Sequence, residues 1–153
     1  MAAAMKTLLA MTLGVTTIGC DAGGETVGPR GGVVTSDDGR LSLEVPEGAL
    51  DREVEITIEV LDDAPNGVIG TVYAIEPAGL AFAVPATLVY DVSAGEEEDR
   101  AFDLAAAQME DLAIITDKAG RWALLPDADV DVDDAFVFGS VLYLSSYAII
   151  AHP

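Results

Sequence analysis

From Gly31 onward the dominant period of the chain is two. Leu41-Ser42-Leu43-Glu44-Val45 alternates apolar and polar positions, and Val54 to Val60 does the same over a longer run. There Val54, Ile56, Ile58 and Val60 fall on one face, with Glu55, Thr57 and Glu59 on the other. That pattern predicts a half-buried antiparallel strand with a wet acidic face. Further strands are expected over 31–36, 71–76, 80–92, 111–116, 121–125, 129–141 and 144–151. Turn chemistry separates them at Asp37-Asp38-Gly39, Pro46-Glu47-Gly48, Pro65-Asn66-Gly67, Pro77-Ala78-Gly79 and Lys118-Ala119-Gly120. Many short strands at this spacing predict an all-β domain, a β-sandwich or partly open barrel of antiparallel strands. Pro85, inside an apolar run, predicts an edge strand or a bulge. Only 96–109 has helix-forming composition, with acids in its first turn where the dipole favours them. It fits either one helix or a loop with a helical turn.

Residues 1–20, MAAAMKTLLAMTLGVTTIGC, break the alternation. Lys6 is the only charge before Asp21, and an apolar run from Leu8 to Val15 follows it. This order predicts a secretory signal helix, too short to remain as a bilayer span. The run ends in Thr17-Ile18-Gly19-Cys20, which resembles the lipobox of bacterial lipoproteins, with Thr17 where Leu is usual. The resemblance implies that Cys20 carries a diacylglycerol, becomes the new N-terminus on cleavage and is acylated again. Two or more acyl chains anchor stably where one binds reversibly. The plainer reading is an ordinary signal peptide with a chance cysteine near its cleavage site. The expected organisation is a signal peptide over 1–19, a lipidated Cys20 with a Gly-rich tether to residue 30, and a β-domain over 31–153. The protein would then face the periplasm or exterior from the bacterial cell envelope, with inner against outer membrane left open.

Charge narrows the function classes. The chain carries 27 Asp and Glu against 7 Lys and Arg, a formal charge of -20. Removing residues 1–19 takes away Lys6 and no acid, so the mature chain is more acidic still. So few cations exclude nucleic-acid binding through phosphates and attraction to anionic headgroups. A hydrophobic content of 51% nevertheless sets the chain apart from acidic disordered tails. One Cys and one His exclude a zinc cluster and an internal disulfide.

Two stretches carry a resemblance. Gly39-Arg40-Leu41-Ser42-Leu43-Glu44-Val45-Pro46-Glu47-Gly48-Ala49-Leu50 is an alternating strand followed by Val, Pro, any residue, Gly, Ala and a hydrophobic residue. Tyr73-Ala74-Ile75-Glu76-Pro77-Ala78-Gly79-Leu80-Ala81-Phe82-Ala83-Val84-Pro85-Ala86-Thr87-Leu88 follows at a fitting distance. Together they resemble the ZU-five domain of ankyrins, netrin receptors, zonula occludens proteins and PIDD, over roughly residues 31–92. The resemblance implies a β-sandwich-like protein-interaction domain with no cofactor. Some family members cleave their own backbone at a His-Phe-Ser-x-Tyr motif. The matching positions here are Tyr143, Leu144 and Ser145, with Tyr143 in the histidine place. A phenol is a poor base at neutral pH, so the resemblance implies a vestigial motif rather than an autoprocessing domain.

The remaining candidate chemistry is acidic. Asp127, Asp129, Asp131 and Asp133 alternate, and on one strand they would offer a face of hard oxygen ligands suited to Ca²⁺. The EF-hand spacing fails, because its sixth position is Val132 and its twelfth Phe138. A solvated acidic face is the simpler reading, and a calcium-stabilised adhesion or assembly module the alternative. Ser36, Ser42, Ser93, Ser140, Ser145 and Ser146 lack a histidine for a catalytic triad, His152 being next to last. Trp122 is expected in a core or interface. The sequence therefore points to a non-catalytic envelope lipoprotein whose β-domain serves as a protein-interaction or structural module. It does not identify the protein partner.

Overall fold

The computed structural model describes residues 24–93 and 109–151. The expected signal peptide, Cys20, His152 and the 96–109 segment except Met109 lie outside the described residues. The strands are β1 (Glu25–Val27), β2 (Gly32–Thr35), β3 (Leu41–Val45), β4 (Val54–Leu61), β5 (Val68–Glu76) and β6 (Ala81–Asp91). They continue as β7 (Leu112–Asp117), β8 (Trp122–Leu124), β9 (Asp129–Asp131), β10 (Phe136–Tyr143) and β11 (Ser146–Ala151). One sheet has the order β1-β4-β5-β11-β7-β8 and the other β2-β3-β6-β10-β9. Every pairing is antiparallel. The fold is a β-sandwich, as the alternation predicts.

The chain alternates between hairpins that stay within a sheet and links that cross to the other. Asp37-Asp38-Gly39, Pro65-Asn66-Gly67 and Lys118-Ala119-Gly120 make the hairpins β2–β3, β4–β5 and β7–β8. Pro46-Glu47-Gly48 and Pro77-Ala78-Gly79 instead carry the chain across the sandwich. Turn chemistry marks where pairing stops, and the partner strand decides which kind of turn results. The inner faces meet in one core that includes Leu43, Ile56, Ile75, Leu88, Ile114 and Ile149. On β4, Ile56 is fully buried while Glu55 and Glu59 face solvent, as expected. Its end is less covered, and Val60 and Leu61 remain exposed.

Three expectations change, and the two alternatives for Pro85 resolve into one. The segment read as a tether contains β1, whose Val27 is buried in the core opposite Val54. One apolar residue in three is too little for a periodic signal, so only tertiary pairing reveals the strand. Pro85 does not make β6 an edge strand, since β3 and β10 flank it. The bulge alternative is observed. β3 pairs only as far as Thr87, and the β10 register slips between Val141 and Tyr143, opposite the Pro85 region. The missing amide therefore falls where no ladder bond is needed. The expected 129–141 strand is the hairpin β9–β10, and the expected 144–151 strand begins at Ser146.

All four outer strands are short, three or four residues each. Short edges limit pairing with other chains, and the acids around them add repulsion.

Candidate functional site

The aspartate run folds as a crossing and a hairpin. Asp127 lies in the link from β8 to β9, Asp129 and Asp131 on β9, and Asp133 in the turn before β10. Asp131 Oδ1 accepts hydrogen bonds from the Asp133 and Asp134 amides, both at 3.1 Å. Ala135 closes the turn at φ 57°. The Asp-Val alternation runs into a turn that contains neither Gly nor Pro, so period alone misses the break. The four carboxylates consequently do not form one face. Among the described residues, no group of three or more His, Cys, Asp or Glu side chains is placed to hold a metal ion.

Tyr143, Leu144 and Ser145 form the corner at which the chain leaves β10 and enters β11 in the other sheet. The corner is held by backbone. The Leu144 amide donates to Leu80 O at 2.8 Å, and Leu144 O accepts from the Gly79 amide at 2.8 Å. Ser145 O accepts from the Ile75 amide at 2.9 Å. The Leu144 side chain is fully buried. Ser145 Oγ donates to Asp117 O at 2.7 Å, so its hydrogen is committed to a carbonyl that is not a base. Tyr147 Oη donates to Tyr143 O at 2.5 Å. Burial raises the Tyr147 pKa, which keeps this donor protonated. The arrangement stitches one sheet to the other.

Beside this corner a groove of about 210 Å³ opens between the end of β7, the β8–β9 link and β10. It brings Asp127 and Tyr143 together, two residues the sequence singles out for separate reasons. Leu125 and Leu142 supply apolar walls, Thr116 lies at depth and Lys118 lines the groove from the β7–β8 turn. Gly139 lets Leu125 lie close against β10, since a Cβ there would meet Leu125 Cδ2 at 2.7 Å. Nothing in the sequence order joins these residues, so the groove is a product of the fold.

A polar cluster sits at the opposite end of the strands. Tyr73 Oη donates to Asp38 Oδ2 and Ser36 Oγ to Asp38 Oδ1, both at 2.6 Å. The Arg40 amide also donates to Asp38 Oδ1, at 3.1 Å. Burial raises the Asp38 pKa, but these hydrogen bonds and the Arg40 charge outweigh it and hold the carboxyl below its ordinary value. The cluster buttresses the β2–β3 hairpin. Trp122, as expected, packs in a small apolar cluster with Val72, Ile115 and Ala148, on the other face of its sheet from the main core.

A comparison with protein-family models finds none that matches this chain, and a comparison with curated proteins finds no relative.

Proposed function

We propose that the protein is a non-catalytic envelope lipoprotein, anchored through acylated Cys20, whose ZU-five-like β-sandwich serves as a binding or structural module. One observation carries the reading. The two stretches that resemble the family are neighbours in space as well as in order. β3 of the first pairs with β6 of the second through Leu43 opposite Leu88 and Glu44 opposite Thr87. The turn after β3 adds a bond from the Ala83 amide to Ala49 O at 2.9 Å. Strands that share one ladder suit a signature that belongs to a single domain. The serine of the cleavage motif holds the corner together, which fits a module that binds without processing itself.

The anchor also acquires a geometry. β1 begins at Glu25, so only residues 21–24 lie between Cys20 and the first strand. Extended chain spans at most ~3.6 Å per residue, which keeps the β1 edge within about 18 Å of the lipid-bearing residue. β8, beside the groove, is the opposite edge of that sheet. Labelling cells with a fatty-acid probe tests the reading, with wild type compared against Cys20→Ser. Label on wild type and none on Cys20→Ser is expected. An unlabelled wild type would sink the anchored assignment.

A further inference from the structure

We propose that the outer face of the β9–β10 hairpin docks a basic, extended segment of a partner protein, with arginine or lysine at alternate positions. This names a partner class for the binding module proposed above and rests on that reading. The strand register places the chemistry. Val130, Val137, Gly139 and Val141 turn inward, so Asp129, Asp131, Phe136, Phe138 and Ser140 share the outer face. Phe136 lies directly opposite Asp131, and Phe138 directly opposite Asp129. No described strand packs over that face. Phe136 is 37% exposed and Phe138 half-buried, whereas Phe82 is buried in the core.

Each Phe–Asp pair is a station for one cation. Side chains directly opposite on antiparallel strands stand about 4.5–5.5 Å apart at Cβ. A cation within about 6 Å of a ring centroid is drawn to the ring face, and the facing carboxylate adds its own attraction. The two stations are two residues apart along β10, a distance of about 7 Å. Alternate side chains of an extended chain repeat at the same distance, so one extended segment fills both. Val89 lies opposite Phe138 on β6 and offers apolar surface that the aliphatic stem of Lys or Arg can cover.

The fold does not answer this charge from within. Asp129 and Asp131 form no salt bridge with any described residue. Two turn amides engage Asp131 Oδ1 and leave its charge in place. Asp91, opposite Phe136 on β6, differs, because Arg40 stands beside it and donates to Asp91 O at 3.4 Å and Ser93 O at 2.9 Å. The groove at the far end of β10 is balanced in its turn, since Lys118 and Asp127 both line it. The hairpin therefore presents two carboxylates and two ring faces with no cation of its own. A second copy of so acidic a chain would meet it with like charge, and a neutral apolar partner would leave both carboxylates unpaired.

Titration of the full chain at physiological salt tests the proposal, followed by amide NMR. The probe is an acetylated, amidated pentapeptide alternating arginine with threonine, and its counterpart carries citrulline for arginine. The arginine peptide should shift the amides of Asp129, Asp131, Phe136 and Phe138, and the citrulline peptide should bind at least roughly tenfold more weakly. Phe138→Leu keeps apolar bulk but loses the ring, and should weaken the arginine peptide roughly threefold, whereas Phe138→Tyr should bind as wild type does. Asp129→Asn keeps the oxygen that accepts from the Val130 amide and should also weaken it roughly threefold. Glu59→Gln removes the same charge from the outer face of the other sheet and should change nothing. Equal weakening by Glu59→Gln would reduce the attraction to net charge and overturn the proposal. So would an unchanged Phe138→Leu, shifts confined to other strands, or no binding at millimolar peptide. The readout is binding rather than acylation, so this docking face and the Cys20 anchor fail separately.

Discussion

The Tyr73 hydroxyl reaches from the middle of β5 to the carboxylate of Asp38, 2.6 Å away in the β2–β3 turn. This bond joins the two sheets through polar side-chain atoms, as the Tyr147 hydroxyl does at the Tyr143 corner. Replacing Asp38 with Ala leaves the Tyr73 and Ser36 hydroxyls without their acceptor. The expected loss is roughly 1–3 kcal/mol of unfolding free energy, measured by urea denaturation.

Acid should act on the same residue. The folded pKa of Asp38 lies below its unfolded value, so its contribution is complete above the unfolded value and disappears as pH falls through the folded one. Stability of the wild type should therefore drop more steeply below about pH 4 than that of Asp38→Asn. Parallel acid titrations that superimpose would refute the linkage.

Tyr90 offers the opposite case. Its ring lies 5.8 Å from that of Tyr73, yet its hydroxyl is buried with no partner among the described residues. Tyr90→Phe removes an unpaired polar atom and should leave stability unchanged or raise it by up to about 1 kcal/mol, whereas Tyr73→Phe should lower it. Burial also pushes the Tyr90 pKa well up. A raised folded pKa contributes stability that is whole below the unfolded value near 10 and is lost as pH climbs beyond it. Tyr90→Phe should therefore soften the alkaline melting profile, and an identical profile would contradict this account.

Gly31 fixes the passage from β1 to β2. It has φ 75°, and a Cβ there would overlap the Val45 carbonyl oxygen. Gly31→Ala should cost roughly 1–3 kcal/mol from backbone strain alone. Val27→Ala, in the segment that reads as a tether, should cost a comparable amount through the cavity it leaves. A Val27→Ala variant that melts with the wild type would remove β1 from the core.

The corner and the aspartate hairpin can be examined together. Intact mass should give one uncut chain through Leu144-Ser145, because Ser145 Oγ donates to a carbonyl rather than to a base. Added Ca²⁺ should leave the melting temperature where it is, since the fold does not gather Asp127, Asp129, Asp131 and Asp133. Asp131→Ala, by contrast, should lower stability by roughly 1 kcal/mol through loss of its bonds to two turn amides.

Much of the fold can be read from local order. Alternation places Leu41 to Val45 and Val54 to Val60 as strands and gives the face on which Leu43 and Ile56 are buried, because side chains on an extended backbone switch sides at every residue. Gly and Pro mark the turns for an equally local reason, the dihedral angles those residues allow or forbid. The order of residues does not say which strands pair. Pairing makes β1 from a lone buried valine, puts Pro85 in a flanked strand at a bulge, and folds the aspartate run in two. It also sends Tyr143 and Ser146 into different sheets. The groove follows from the same cause, for Thr116, Leu125 and Leu142 meet only after three separate segments have packed. Period and turn chemistry determine the elements of this protein. Long-range pairing, whose rewards depend on neighbours far away in sequence, decides its surface.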